Sequence, residues 1–149
     1  MEPNRKFWND GQQKLRRALA SNDHPKVIEY FLIQHAMVHT KKMSRMDLWS
    51  FEDEIWQGST VETIRVIPSK SEHSIAWILF HIARVEDITM NMLVAGPPQL
   101  YTRGKWAGKL KSPIHHSANN MDNESVANLS SALDIDALRD YRLAVGCRT

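Results

Sequence analysis

Helical spacing of the apolar residues, with almost no strand pattern to compete with it, is what most limits the folds open to this chain. It is clearest around "SIAWILFHIARVED", residues 74–87. Counted from Ile78 through His81, Val85, Ile88 and Met92, the steps are 3, 4, 3 and 4. That is the spacing by which one helix face packs against another. It predicts a packed helix with His81 in its seam and with Arg84, Asp87 and Asn91 on a polar stripe turned away from it. Ser69, with Glu72 three residues on, reads as a capping box at the start. Gly96, Pro97 and Pro98 stop the helix.

The same period recurs along the chain. Only "IRVIP" (64–68) has a β-branched look, and Pro68 closes it. A first helix is predicted from about Asn4 to Ala20. After "SNDHP", Asp23 suits the cap of a second helix with Pro25 in its first turn. That helix, "KVIEYFLIQHAMVHTKK", is apolar almost all round, which predicts a central position. "SFEDEIW" reads as a short helical turn with Ser50 and Asp53 at its start. Residues 96–122 are irregular and long for a connection, as lids, binding loops and subunit contacts often are. The remainder reads as two helical pieces hinged near Asp134, the last carrying Leu138, Tyr141 and Val145 on one face. The expected organisation is one all-α domain over 1–149: an N-terminal helix (1–22), core helices (23–95), the long loop (96–122) and C-terminal helices (123–149).

Composition removes several function classes. Hydrophobic residues make up 42% and charged residues 24%, ordinary values for a globular chain of 149 residues. The net charge of +2 gives no strong field for a polyanion. The basic cluster Arg5, Lys6, Lys14, Arg16 and Arg17 reads as a solvated helix face, with Trp8, Leu15 and Leu19 on the other side, and nucleic-acid binding is a weak third reading. One cysteine, Cys147, excludes an intrachain disulfide. With no signal-peptide pattern and no membrane-length apolar run, a cytoplasmic protein is expected. The five tryptophans are dispersed and the seven methionines read as packing residues. No glycine-rich phosphate loop and no nucleophile elbow is present.

The histidines are the chemical signal. "HAMVH" places His35 and His39 at i and i+4, one turn apart on one helix face. A helix presents two nitrogen ligands to one ion in this way. Ile28, Phe31 and Leu32 share roughly that face, so both rings are expected to point toward a core. With His81 on a second apolar helix, three inward-facing imidazoles form a candidate metal site, since neutral imidazole is the commonest metal ligand. The competing reading is three partly buried rings bonded to carbonyls or water. His115 and His116 read as loop-packing or solvated residues, and His24 and His73 as helix-start residues.

"NRKFW", "FLIQHAMVHT", "SFEDEIWQG", "SIAWILFHIARVED" and "YRLAVGCRT" together resemble a bacterial branch of the DinB-like superfamily of metalloenzymes, in order over nearly the whole chain. The "IAW-x-x-x-HIAR-x-ED" segment carries most of the likeness. The resemblance implies an up-down-down-up four-helix bundle, often dimeric, and a divalent metal, zinc or nickel, held by three histidines. By its place in the motif His81 is one of them. The family's other two form an H-x-x-x-H pair on a last bundle helix, which the sequence ending at Thr149 does not contain. The site is then either incomplete, or filled by His35 and His39, or helped by a second subunit. Dimerisation is also expected to complete the bundle. Relatives of this kind include thiol-dependent S-transferases and isomerases, so a low-molecular-weight thiol is the implied cosubstrate. Glu86 and Asp87 are expected at the surface or behind the ligands rather than as ligands. A non-catalytic helical dimer that binds a small apolar ligand is the alternative.

Overall fold

Side-chain caps set most of the helix starts. In the computed structural model, which describes residues 2–69, 72–96 and 98–149, the chain is all-α, with no strand among the described residues. Asp23, Ser50, Thr60, Ser74, Asp122 and Asp134 each accept a backbone N–H three residues on. These acceptors satisfy donors that a helix end leaves orphaned. The structure divides into two compact units, one ending at Gly58 and the other beginning at Ser59.

The first unit is built on α1 (Pro3–Ala20) and α2 (His24–Val38), with α3 (Phe51–Gln57) after a short 3-10 turn. Asn22, at φ 54, makes the reversal between α1 and α2 in the left-handed region that Asn tolerates. The two helices approach at Gly11, where a Cβ would overlap the Gln34 amide. Gln12 donates to Gln34 there at 2.9 Å. Trp8 packs edge-on against Phe51 at 5.4 Å between ring centres, and Trp49 against the same ring at 4.2 Å.

The predicted central position of α2 is not what forms. Its buried residues are Gln34, Ala36 and Met37, while Ile28 is 60% exposed, and Phe31 and Leu32 are also exposed. Leu19 of α1 is exposed as well. An all-round apolar helix has no unique inner face, and here Gln34, Ala36 and Met37 take that place.

The second unit runs α4 (Val61–Arg65), α5 (Ile75–Glu86) with a π-helical continuation over Asp87–Val94, α6 (Leu100–Arg103), α7 (Trp106–Lys109), α8 (Asn123–Ala132) and α9 (Ile135–Arg148). "IRVIP" is therefore the end of α4 and an extended exit rather than a strand. The α5 cap is Ser74, whose hydroxyl accepts from Trp77 N at 3.0 Å, so the helix starts later than the Ser69 capping box predicts. Lys70, Ser71 and Pro97 lie outside the described residues. Gly96, at φ 79, ends the π segment, as the sequence signal predicts. The core comprises Leu79, Phe80 and Ala83 of α5 with Leu129 of α8 and Leu138, Tyr141 and Val145 of α9, each at most 2% exposed. Arg65 reaches the open end of α8 and donates to the carbonyls of Ser130 at 2.8 Å, Ser131 at 2.7 Å and Leu133 at 2.6 Å.

The facing of α5 is the reverse of the predicted one. Arg84 and Asp87 are 0% exposed and Asn91 is 1% exposed, whereas Ile78, Val85 and Met92 are exposed. Asp87 therefore lies in the core, not at the surface. Its carboxyl group accepts from Leu100 N and Tyr101 N at 2.8 Å, from the Tyr141 hydroxyl at 2.7 Å and from Asn91 at 3.1 Å. Arg84 donates to the Tyr141 hydroxyl at 3.0 Å, to the His115 carbonyl at 2.9 Å and to Asp87 at 3.4 Å, and lies over the Tyr101 ring at 3.8 Å. Paired charges and these hydrogen bonds offset most of the cost of burial, although Arg84 Nε has no hydrogen-bond partner among the described residues. The network also fixes residues 98–122, which contain no long helix: Asp87, Arg84 and the Tyr101 hydroxyl, which donates to Ile114 O at 2.6 Å, hold this segment by its backbone.

Candidate metal centre

The histidine pair of the first unit sits where α2 ends. His35 is in the last turn, and His39 is the C-cap with extended backbone at φ −110 and ψ 163. Their ring centres are 4.6 Å apart. Two nitrogens bound to one tetrahedral ion at about 2.0–2.1 Å stand roughly 3.3 Å from each other, so rings this close satisfy that separation with small rotations. Phe31 stacks on His35 with planes 10° apart, which restricts that ring from the other side.

His39 is held more firmly. Its side chain is 1% exposed. The Ser50 hydroxyl donates to the His39 carbonyl at 2.6 Å and accepts from Asp53 N at 3.1 Å, joining the α3 cap to the end of α2. Glu52, also 1% exposed at its side chain, places Oε2 3.9 Å from His39 Nδ1. The other carboxyl oxygen, Oε1, accepts from the Trp56 indole N–H at 3.1 Å.

His81 belongs to the second unit. It is half-buried on α5, with Nδ1 2.6 Å from the Ser117 carbonyl. An oxygen acceptor at that distance requires the proton on Nδ1, which in a neutral ring leaves the lone pair on Nε2. Ligating histidines are usually oriented in this way. Trp77 stacks on the ring at 4.8 Å with planes 17° apart, and His73 lies 3.9 Å beyond Trp77.

The structure thus brings His35 and His39 together, and it places His81 in the other unit with a tautomer suited to coordination. Each environment fits an imidazole ligand for a borderline-soft divalent ion. The loop histidines behave as packing groups: the His115 ring meets Tyr101 edge-on at 6.0 Å, and His116 Nδ1 accepts from Ala118 N at 3.0 Å. Glu52 escaped the sequence reading. Inside "SFEDEIW" it is one of three acidic residues in a first turn, where acidic side chains ordinarily serve the helix end. Nothing local marks it as the buried one.

Comparison with protein-family models and with curated proteins returns no match. No helix among the described residues is long and apolar enough to cross a membrane.

Proposed function

We propose that this chain is a metal-binding helical protein of the DinB-like kind, with a divalent ion held through His35 and His39. The observation that carries the reading is the 4.6 Å approach of those two rings at the end of α2. The resemblance gives His81 a ligand role of its own, and its Nδ1 contact with Ser117 O supports that role. An ion in such a setting lowers the pKa of a bound thiol or water, so that the deprotonated nucleophile is available near neutral pH. The reaction class is then thiol-dependent S-transfer or isomerisation of a small molecule, with zinc or nickel as the ion and a low-molecular-weight thiol as cosubstrate.

A second reading draws on different observations. Ile78, Ile82 and Val85 of α5 are 44%, 42% and 37% exposed, a continuous apolar stripe. In the same unit Val66, Pro68 and Ile75 line a recess of about 360 Å³ with Glu62, Thr63 and His73. These features suit a non-catalytic helical dimer that takes a small apolar ligand.

Metal content separates the two. Protein purified without added metal, and its His35→Ala, His39→Ala and His81→Leu variants, are analysed for bound metal and melted with and without chelator. On the metal reading, wild type carries metal and loses thermal stability in chelator, and the variants carry less and respond less. Metal-free wild type with melts indifferent to chelator leaves the non-catalytic dimer as the better reading. Normal metal content in His81→Leu alone removes His81 from the ligand set and leaves the pair.

A further inference from the structure

The basic residues of α1 do not form one continuous stripe. Arg5 pairs with Glu2 and Lys6 with Asp10, so the charges near the start of the helix are answered on its own surface. Lys14 and Arg17 lie further along, three residues apart and so neighbours on one face. Both line a recess of about 390 Å³ between the last turns of α1 and the first turns of α2. Lys26 and Tyr30, one turn apart on α2, line it from the other side. Ala18, also in the lining, is buried and short.

Some polar groups of the recess are engaged and others are not. Asp23 caps α2, and its carboxylate accepts from Lys26 N at 3.3 Å and from the Lys26 ammonium at 2.8 Å. The Ser21 hydroxyl donates to the Ala18 carbonyl at 3.2 Å. Among the described residues, no hydrogen bond or ion pair engages the side chains of Lys14, Arg17 or Tyr30. Lys14, Arg17 and Lys26 against Asp23 leave the recess with a net charge of +2.

We propose that this recess binds a phosphate monoester carried by a small molecule. A monoester is largely a dianion near neutral pH, because its second pKa is about 6, and a dianion matches the charge of the recess. The planar fork of Arg17 suits two phosphate oxygens at once, and Lys14 adds a point charge. The Tyr30 hydroxyl, half-buried on the facing helix, supplies a neutral donor for the remaining oxygen. The volume lies in the lower part of the range of small-molecule sites. A long polyanion fits less well, because the pairing of Arg5 and Lys6 interrupts the positive surface along α1. The recess is lined by neither His35 nor His39, so the proposal stands apart from the metal reading.

The test is a titration of the full chain with inorganic phosphate at constant ionic strength, followed by backbone amide shifts. Saturable shifts confined to residues 14–30 are expected. Lys14→Gln and Arg17→Gln are each expected to weaken binding about 10-fold, and Tyr30→Phe about 5-fold. Lys14 and Arg17 are exposed, so their replacement is not expected to disturb folding. Arg5→Gln, outside the recess, is expected to bind as wild type does. Wild type without saturable shifts overturns the proposal. So does Arg5→Gln weakened as much as Arg17→Gln, which means general attraction to a basic helix. Vesicles containing phosphatidic acid present the same monoester on a lipid surface. Wild type that sediments with them yet shows no shifts with free phosphate overturns the small-molecule assignment in favour of the lipid.

Discussion

Arg84 shows how far a single residue's environment departs from its type. An arginine with no exposed surface is tolerable because Tyr141, the His115 carbonyl, Asp87 and the Tyr101 ring surround it. Asp87→Ala leaves that guanidinium without its counter-charge and strips two loop N–H groups of their acceptor. Denaturant unfolding is expected to show a loss of about 3–5 kcal/mol in the second unit. A change below about 1 kcal/mol contradicts the network as drawn. Tyr141 sets the alkaline limit. Burial pushes its phenol well above the ordinary tyrosine range, against the opposing effect of Arg84. The folded state then holds a proton that the unfolded state releases above about pH 10, so stability falls as pH rises past that value. Tyr141→Phe is expected to flatten this alkaline loss in pH-dependent unfolding. An unchanged slope assigns the loss to other groups.

At the scale of elements, the ends of helices carry more specificity than their middles. Arg65 supplies three donors to the last carbonyls of α8, which have no partner inside their own helix. Arg65→Lys keeps the charge but not the fork that reaches three oxygens at once. We expect it to cost about 1–2 kcal/mol, read by denaturant midpoint; a silent substitution means that water replaces the guanidinium at no cost. Asp23 and Ser50 were legible as caps by residue type alone, and Asp134 as a hinge, whereas the Ser69 capping box misplaced the start of α5, which Ser74 caps. The α9 face of Leu138, Tyr141 and Val145 was equally legible, because polar neighbours define it. The buried faces of α2 and α5 were not. Both helices are apolar over most of their circumference, so a period of 3–4 residues fits several faces. On α5 the charged residues that mark the outside of most helices are the ones buried. The π segment also alters the helical pitch where the count from His81 to Met92 assumes an α-helix.

For the whole molecule, the all-α class follows from the apolar period and the missing strand pattern. The chain forms two compact units, one ending at Gly58 and the other beginning at Ser59. Of the candidate site, His35 and His39 were legible because i, i+4 spacing is local, while the carboxyl group beside His39 depends on how α3 returns to the end of α2. Assembly is where the exposed apolar residues matter. Ile78, Ile82 and Val85 form a stripe along α5, and Leu93 and Val94 beyond it are 69% and 73% exposed. Contiguous apolar surface of this sort ordinarily marks an interface. A second copy of this chain is the expected occupant, in line with the dimers that the sequence resemblance implies. Light scattering is expected to give twice the chain mass at micromolar concentration, and Ile82→Glu is expected to return it to a monomer. A wild-type monomer contradicts this.

The central claim is that α2 carries a metal site, and the most direct test is thermal unfolding of metal-stripped wild type titrated with zinc. At about 100 times the dissociation constant, an ion that binds only the folded state adds about 2.7 kcal/mol. For a protein of this size, that is a rise of roughly 5–10 °C in melting temperature. The account predicts such a rise, saturable and absent in His35→Ala/His39→Ala. A melting temperature unmoved by zinc, or moved equally in that double variant, contradicts it.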